Sequence, residues 1–355
     1  MMKVLIAMSG GVDSSVAAKL LCDKGCECIG CTMKLYDNCD AGLPRGRTCC
    51  SLDDVEDARS VAFSLGMRYY VFNFKDDFRE KVIKKFASGY LRGQTPNPCI
   101  DCNRYMKFDK LFERAKLLGC DKIATGHYAR IEFDGEKYRL KKALDKSKDQ
   151  SYVLYMLTQE QLAHTLFPLG SLHKTDTRAI ADAADLSSAR KPDSQDICFV
   201  PDGDYATAIE RLTGEKAPCG DFIDASGKIL GTHRGITHYT VGQHRGLGLS
   251  LPERRYVCGI DAENSTVTLG GSDELYSSTA EVRGFNWISG ETPAEPIRCT
   301  AKIRYRQSEQ PATAIAHKDG SITIQFDAPQ RAVTPGQAAV LYDGDTVLGG
   351  GEIVR

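Results

Sequence analysis

The chain has 355 residues, of which 42% are hydrophobic and 26% are charged, and its formal net charge is −1. This length exceeds one typical hydrophobic core, so we expect two or three domains. No run approaches the roughly 20 apolar residues of a membrane span, so we expect a soluble protein without a membrane partner. A net charge near zero gives no general attraction to nucleic acid, and a polyanionic partner has to be bound by local basic patches.

Nothing near the N-terminus predicts export. The apolar run from Val4 to Met8 is too short for a signal-peptide core. The 14 cysteines are spread over a long chain, a pattern typical of reduced thiols and not of the disulfide framework of a small secreted domain. We therefore expect a cytoplasmic protein.

From Lys3 to about Asp121, apolar strands alternate with amphipathic helices, which predicts an α/β domain with a mostly parallel sheet covered on both faces. Ser51 is the expected N-cap of the second helix. The segments predicted as strands are KVLIAM, CECIGCTMKLY, RYYVFNF and DKIAT. The segments predicted as helices are DSSVAAKLLCDKG, SLDDVEDARSVAFSLG and the residues around Phe108 to Leu118.

After about Pro201 the pattern changes to short strands with Gly and Asp turns. HKDGSITIQF and AVLYDGDTVLGGGEIV both have the form of β-hairpins. We predict an N-terminal parallel-sheet domain over residues 1–202, a small central connecting domain over 203–279 and a C-terminal β-barrel over 280–355.

The segment AMSGGVDSS, Ala7 to Ser15, lies between the first strand and the first helix, where backbone N–H groups and the helix dipole favour an anion. It lacks the lysine of the common γ-phosphate loop. It resembles instead the Ser-Gly-Gly-x-Asp-Ser loop of the ATP pyrophosphatases, which adenylate a carbonyl oxygen and release pyrophosphate. The plain alternative is a capped turn between a strand and a helix.

Four cysteines near the N-terminus are close enough in sequence to suggest the ligands of a metal cluster. They are Cys22, Cys26, Cys28 and Cys31. They divide, however, between a helix end and a strand whose residues alternate between faces, so we predict small buried thiols. Cys49 and Cys50 are left without a role. No residue is assigned as a metal ligand.

Cys99 and Cys102 form a C-x-x-C pair in a proline-containing loop, and such a pair binds zinc, binds an iron–sulfur cluster or performs redox chemistry. One pair supplies half of a four-thiolate site. Cys198 is the other cysteine in a comparably polar setting, so a three-cysteine cluster site remains an alternative.

Eight segments in order resemble the bacterial tRNA-specific 2-thiouridylases over essentially the whole chain. They are SGGVDSS, TPNPCIDCN, ATGHYAR, KDQSYVLYML, PDSQDICF, YTVGQHRGLG, IRYRQ and TPGQAAVLYD. The resemblance implies that Cys102 is the catalytic nucleophile and that Cys198 carries persulfide sulfur. Cys99 departs from the form of this loop that has Asp at its position, which removes a carboxylate from beside the target base.

The resemblance also implies two sets of binding residues. For Met33 alone we would predict core packing, for His127 a hydrogen-bonded loop residue and for the KDQ segment a solvated turn. The implied ATP contacts are Ala7, Met8, Ser9, Gly10, Gly11, Val12, Asp13, Ser14, Met33 and Gly126. The implied tRNA contacts are Asn97, Pro98, Cys99, His127, Lys148, Asp149, Gln150, Arg304, Tyr305 and Gln337.

The implied reaction is ATP-dependent 2-thiolation of the wobble uridine of tRNA, with Mg²⁺ accompanying ATP. Adenylation of the uracil 2-carbonyl oxygen precedes attack by sulfur, and AMP and pyrophosphate leave. The implied partners are tRNA and a persulfide donor such as a cysteine desulfurase or a sulfur carrier protein. Two other hypotheses are an ATP pyrophosphatase that amidates or ligates a small metabolite, and a non-enzymatic RNA-binding or metal-binding module.

Overall fold

Three β-sheets organise the molecule. The computed structural model describes residues 1–36, 52–189, 191, 197–200 and 202–355. Within these residues the sheets have five, four and eight strands. The N-cap predicted at Ser51, together with Cys49 and Cys50, lies outside the described residues.

The five-stranded sheet is parallel throughout, which confirms the predicted parallel-sheet domain. Its strand order is β3-β2-β1-β4-β7, and the short fifth strand, β7, was not predicted. The strands of this part of the chain are β1 (Lys3–Ala7), β2 (Glu27–Lys34), β3 (Arg68–Asn73), β4 (Lys122–Ala124), β5 (Ala129–Phe133), β6 (Tyr138–Lys142) and β7 (Thr165–Leu166). Strands β5 and β6 are outside the parallel sheet and form an antiparallel hairpin.

The described residues contain nine α-helices. They are α1 (Val12–Asp23), α2 (Leu52–Ser64), α3 (Lys75–Phe78), α4 (Lys84–Leu91), α5 (Pro98–Asp101), α6 (Leu111–Leu117), α7 (Gln159–Ala163), α8 (Lys174–Ala183) and α9 (Tyr205–Thr213). Helices pack on both faces of the parallel sheet, α1 and α2 on one face and α6 on the other. Two π-helical turns, Arg79–Ile83 and Cys102–Lys110, join α3 to α4 and α5 to α6. Short 3₁₀ helices span Ser151–Leu154, Ile236–His238 and Asp273–Leu275. No helix in the described residues is long and apolar enough to span a membrane.

The continuous apolar run of β1 exists because both faces of this strand are buried. Val4 and Ile6 point into one core, where they meet residues of α1 and α2. Leu5 points to the opposite core, which contains Phe108 and Tyr152. Alternation of side chains along a strand thus explains why β1 has no polar face.

A four-stranded sheet forms the centre of the chain, in the order β10-β11-β8-β9. Its strands are β8 (Gly220–Ile223), β9 (Ile229–His233), β10 (Tyr256–Asp261) and β11 (Thr266–Gly270). Phe222, Val257, Val267 and Leu269 are fully buried and form its core.

The C-terminal strands form a closed antiparallel barrel of six strands, because β12 pairs with both β15 and β17. The strands are β12 (Tyr276–Trp287), β13 (Ile297–Lys302), β14 (Gln310–Ala316), β15 (Ile322–Arg331), β16 (Ala338–Asp343) and β17 (Thr346–Ile353). Both predicted hairpins are confirmed, as β14–β15 and β16–β17. The β5–β6 hairpin adds to the barrel sheet beside β17, a connection that the sequence analysis did not predict.

The barrel and the N-terminal region share one hydrophobic core. Tyr152 and Leu154 of the N-terminal region pack in the same cluster as Val340 and Tyr342 of the barrel. The Tyr152 hydroxyl donates to the Ala338 carbonyl at 2.7 Å. This shared core places the barrel loops beside the segment that contains Cys99 and Cys102.

Candidate active site

The loop from Ser9 to Ser14 joins the carboxyl end of β1 to the first turn of α1. Gly11 is the N-cap of α1, and no side chain caps the backbone N–H groups there. The Ser14 and Ser15 hydroxyls both donate to the Gly11 carbonyl at 3.0 Å, which fixes the turn from the inside. A helix N-terminus with uncapped N–H groups is a site that suits a phosphate.

Two glycines allow other parts of the chain to approach this loop closely. Gly10 has φ +74°, and a Cβ there would lie 2.5 Å from the Asp54 carbonyl oxygen of α2. Gly126 follows β4, and a Cβ there would lie 2.8 Å from the Ser14 nitrogen and 2.8 Å from the Asp13 carbonyl carbon. The loop and the end of β4 therefore form one cradle at the carboxyl edge of the sheet, the edge where open α/β sheets bind ligands.

Asp13, in the first turn of α1, is held by two residues from distant parts of the chain. Lys174 at the start of α8 donates to both carboxylate oxygens of Asp13, at 2.7 and 2.8 Å, and is 9% exposed. The Tyr128 hydroxyl donates to Asp13 Oδ1 at 2.9 Å. Tyr128 is itself hydrogen-bonded through its backbone to Gln150, so the Ser9–Ser14 loop connects to the predicted tRNA-contact segment.

The C-x-x-C segment begins a helix. Asn97 is the N-cap of α5, its side chain accepts from the Cys99 N–H at 3.1 Å, and Pro98 occupies the first helical position. These are favoured residue types at both positions. The helix continues into the π-helical turn that starts at Cys102, so Cys99 and Cys102 are three positions apart on adjacent turns. Cys99 is exposed and Cys102 is half-buried.

Cys102 and Cys198 pack against the same hydrophobic cluster, which includes Tyr36 and Phe199. The Tyr36 hydroxyl donates to the Cys198 carbonyl at 2.8 Å, and Phe199 is 1% exposed. Met33, near the carboxyl end of β2, is half-buried and packs against this cluster too. The structure thus brings the two cysteines to one cluster close to the end of a central strand.

Two of the predicted RNA-contact residues, Cys99 and Asp149, lie near a third, Tyr305. Tyr305, in the loop after β13, is 39% exposed, and its ring meets the buried Tyr152 ring edge-on at 5.8 Å. Burial, with Asp149 and Cys99 nearby, raises the pKa of the Tyr305 hydroxyl. Asp149 accepts from the Ser151 hydroxyl at 2.7 Å, which fixes its carboxylate.

Arg304 and Gln337 bond to other parts of the protein. Arg304 Nη2 donates to Ala332 O at 2.8 Å, to Thr334 Oγ1 at 2.9 Å and to Val241 O at 3.4 Å, which joins the barrel to the central region. Gln337 Nε2 donates to the Thr95 carbonyl at 2.6 Å, just before Asn97. Both residues therefore hold the loops around the C-x-x-C segment.

His127 is 7% exposed, with a polar neighbour on each ring nitrogen. Lys107 Nζ lies 3.3 Å from Nε2, and Thr125 Oγ1 lies 2.6 Å from Nδ1. Because an ammonium group only donates, Nε2 is the acceptor and Nδ1 carries the proton. Burial and the Lys107 charge hold the pKa of His127 well below its usual value, so the ring is neutral.

Comparison with known proteins identifies the family. The tRNA methyl transferase HUP domain matches residues 2–202, the tRNA methyl transferase PRC-barrel domain matches 207–271, and the aminomethyltransferase β-barrel domain matches 277–353. The tRNA-specific 2-thiouridylase MnmA of Acetivibrio thermocellus is 52% identical over 355 residues, 99% of each chain. Those of Geotalea uraniireducens and Clostridioides difficile are 50% and 48% identical over 99% of this chain and 94% and 98% of theirs. The chain belongs to the tRNA-specific 2-thiouridylase family. It is therefore an enzyme.

Two residues beside Asp13 in this 2-thiouridylase, Lys174 and Tyr128, were not predicted from the sequence. Lys174 is 161 positions from Asp13, and no local pattern marks it. Tyr128 stands in the segment ATGHYAR directly after His127, so its position beside a predicted contact residue was the available signal.

The four cysteines near the N-terminus that were predicted as small thiols pack against the hydrophobic core. Cys31 is buried, and its thiol contacts the Ile6 carbonyl at 3.4 Å, while Cys22, Cys26 and Cys28 are half-buried against the core beside α1. In the parts of the chain that the structure describes, no group of three or more His, Cys, Asp or Glu side chains has a metal-binding arrangement.

Proposed function

We propose that this chain is a tRNA-uridine 2-sulfurtransferase that replaces the 2-oxygen of the wobble uridine with sulfur at the expense of ATP. The observation that carries the proposal is the pairing of an uncapped, glycine-lined phosphate loop with two cysteines that pack on one cluster near the same sheet edge. Full-length relatives at 48–52% identity, named as tRNA-specific 2-thiouridylases, support the choice of substrate.

The phosphate loop fits a nucleoside triphosphate. We assign ATP to Ala7, Met8, Ser9, Gly10, Gly11, Val12, Asp13, Ser14, Met33 and Gly126. Oriented N–H groups and the dipole of α1 favour phosphate oxygens, and the Asp13 carboxylate is the ligand type that Mg²⁺ prefers. Lys174 places a cation beside Asp13 and offsets its charge before the nucleotide arrives.

Adenylation makes the 2-oxygen of uracil a leaving group. In the proposed step this oxygen attacks the α-phosphorus of ATP and pyrophosphate leaves. The loop residues orient the α-phosphate for this attack. The N–H groups at the start of α1 also stabilise the negative charge that develops on the phosphate oxygens, which lowers the activation free energy.

Sulfur transfer follows with Cys198 as carrier and Cys102 as nucleophile. The terminal sulfur of a Cys198 persulfide attacks C2, and AMP leaves with the former 2-oxygen. The Cys102 thiolate then attacks the Cys198 sulfur, the S–S bond to the substrate breaks and its electrons form the thiocarbonyl. A Cys102–Cys198 disulfide remains, and an external thiol reductant returns both thiols before the next cycle.

The RNA is bound, in this proposal, across the N-terminal region and the barrel. The target base leaves its stack to reach Cys102, which unpaired loop nucleotides do at modest cost. Tyr305 offers an exposed aromatic face beside Cys99 for stacking. The proposed contacts are Asn97, Pro98, Cys99, His127, Lys148, Asp149, Gln150, Arg304, Tyr305 and Gln337.

The domain organisation proposed from the sequence is 1–202, 203–279 and 280–355, and the three family matches support it. The first domain adenylates and carries both catalytic cysteines. A cysteine desulfurase or a sulfur carrier protein supplies persulfide in the cytoplasm. Ligation of an iron–sulfur cluster by Cys99, Cys102 and Cys198 is the alternative to this relay.

Nucleoside analysis tests the function. Unmodified tRNA is incubated with the protein, ATP, Mg²⁺ and a persulfide donor, then digested and analysed by mass spectrometry. We expect 2-thiouridine at the wobble position only when ATP is present. Pyrophosphate release that needs a small metabolite in place of tRNA would favour the metabolite-ligating alternative.

A further inference from the structure

A cavity of about 250 Å³ lies between the N-terminal region and the barrel. The wall on the N-terminal side consists of α4, α5 and the turn that follows, including Lys85, Asp101 and Arg104. The barrel wall comes from β12 and β17, including Arg283 and Glu352, which face each other across the two strands. The residues assigned above to ATP do not line this cavity.

Positive charge dominates the cavity. Lys85 donates to the Asp101 carboxylate at 2.7 Å, and this ion pair is neutral overall. The other charged groups are the guanidinium groups of Arg92, Arg104 and Arg283 and the carboxylate of Glu352. Three cations against one anion favour an anionic ligand, and guanidinium groups match phosphate oxygens through paired N–H donors.

Local hydrogen bonds position Arg92 and Lys85 at the cavity wall. Arg92 is held at the cavity wall by its donation to Ser88 Oγ and Gln94 Oε1, both at 3.2 Å. The ion pair between Lys85 of α4 and Asp101 of α5 connects the two helices beside the cavity, and Asp101 is 5% exposed. Tyr155, 5% exposed, supplies an apolar wall near Arg104 that suits a sugar ring.

The cavity adjoins the segment proposed to contact the target base. Asn97 lines the cavity and also caps the helix that carries Cys99 and Cys102. A base held at Cys99 and Cys102 therefore has its own sugar–phosphate chain next to the cavity. The volume accommodates a phosphate with part of its ribose.

We infer that this cavity binds the backbone phosphate next to the target uridine, with Arg104 and Arg283 as its ligands from opposite walls. The inference rests on the proposed function for the identity of the RNA. A phosphate held there fixes the sugar–phosphate chain on one side of the flipped base, so the cavity orients the uridine toward Cys102.

Affinity measurements with an anticodon stem–loop test the inference. Arg283→Gln and Arg104→Gln are compared with Arg298→Gln, a matched change on β13 of the same barrel outside the cavity wall. We expect the two cavity variants to bind about tenfold more weakly, since each loses a charge-assisted bond. The double variant Arg104→Gln/Arg283→Gln leaves this phosphate without either ligand, so its plot of log affinity against log salt should be less steep by about 0.7. Arg298→Gln should match the wild type.

The decisive arm neutralises single phosphates. In separate RNAs, a methylphosphonate replaces one of the two phosphates that flank the uridine. The nucleotide on the 5′ side of that linkage has a 2′-O-methyl ribose, and the control RNA has the same ribose with an ordinary phosphate. One flanking substitution should weaken wild-type binding about tenfold and have no further effect in the double variant Arg104→Gln/Arg283→Gln, which has lost both proposed ligands. Unchanged wild-type affinity at both linkages overturns the inference even if an arginine variant fails to fold. An equal loss of affinity in the wild type and in the double variant overturns it as well.

These outcomes distinguish a failure of the cavity assignment from a failure of the proposed function. Binding is measured without ATP or sulfur donor, and thiolation by the wild type is measured separately. Thiolation with no effect of the flanking phosphates would leave the function and overturn the cavity assignment. Weaker binding of the methylphosphonate RNA together with a lack of thiolation would leave the cavity assignment and overturn the proposed function.

Discussion

Asp13 carries a charge in a place where an anionic substrate is expected, so its neighbours decide whether the loop attracts phosphate. Lys174 and Tyr128 both bond to its carboxylate, and Lys174 is nearly buried. A cation beside the carboxylate removes its repulsion of the triphosphate. The loop therefore depends on a residue far away in sequence for its electrostatic character.

Lys174→Met tests this dependence. We expect the KM for ATP to rise about tenfold, because the variant loses a charge-assisted bond and exposes the triphosphate to the Asp13 charge. RNA affinity should stay within about twofold of the wild type, because Lys174 contacts the loop and not the proposed RNA surface. Steady-state kinetics and RNA binding are compared with Lys19→Met, which removes a solvent-side lysine of α1 that pairs with Asp23. An unchanged KM for ATP with only a lower Tm would make Lys174 purely structural.

A substitution at Gly126 tests the close approach between the end of β4 and the Ser9–Ser14 loop. In Gly126→Ala the new Cβ would lie 2.8 Å from backbone atoms of Asp13 and Ser14, so the loop has to move. We expect a loss of about 1–3 kcal/mol in the free energy of unfolding, typical of overpacking, together with weaker ATP binding. Denaturant unfolding and nucleotide titration give both quantities. Gly259→Ala is the control, because the nearest atom to its added Cβ is 3.9 Å away, and equal effects of the two changes would contradict the close approach.

At the scale of elements, the segment around Cys99 and Cys102 is held by loops from the other regions. Gln337 and the Pro335 carbonyl bond to Thr95, and a Cβ on Gly336 would lie 2.8 Å from the Thr95 nitrogen. Arg304 connects the barrel to the Val241 carbonyl. The helix that carries the cysteines is thus positioned by the barrel as well as by its own N-cap.

Arg304 is expected to have two functions, and Arg304→Gln separates them. The three hydrogen bonds of Arg304 to other described residues all use Nη2, and we expect a phosphate to be bound by Nε and Nη1. We expect the free energy of unfolding to fall by about 1–3 kcal/mol and the salt dependence of RNA binding to become shallower by about 0.7. Thermal unfolding and binding at several salt concentrations measure the two effects. A loss of stability with the wild-type salt dependence would restrict Arg304 to the joint between regions.

Local patterns predicted the elements better than their assembly. The buried strands follow from continuous apolar runs, and both C-terminal hairpins follow from their Asp-Gly turns, with Gly320 and Gly344 at φ +80° and +54°. The pairing of Lys174 with Asp13 and the addition of β5–β6 to the barrel were not predictable, because they depend on contacts between residues 161 and 205 positions apart. The π-helical turn at Cys102 also has no distinct residue pattern.

At the scale of the whole molecule, the cysteines connect the sheet edge with the proposed RNA surface. Cys102 and Cys198 share a cluster with Met33, while Cys99 lies near Tyr305. A relay needs Cys102 and Cys198 to approach within a Cα distance of about 4.4–6.8 Å in at least one state, and Cys99 takes no part. A cluster needs all three thiolates.

Three serine variants distinguish relay from cluster. We expect Cys99→Ser to keep thiolation within about tenfold of the wild type, and Cys102→Ser and Cys198→Ser to lose it by about 10³-fold or more, because both thiols form bonds in the reaction. Single-turnover thiolation is measured with metal-free protein and a persulfide donor. Activity that appears only after anaerobic iron–sulfur reconstitution, and is lost in Cys99→Ser, would establish the cluster instead.

The central claim is that the 2-oxygen of uridine is adenylated and then replaced by sulfur. Transfer RNA with ¹⁸O at the 2-position of the wobble uridine tests it directly, because the oxygen that attacks ATP must leave with AMP. We predict that AMP gains one ¹⁸O for each 2-thiouridine formed, while pyrophosphate stays unlabelled. Formation of 2-thiouridine with unlabelled AMP, or with the label in pyrophosphate or water, would contradict the account.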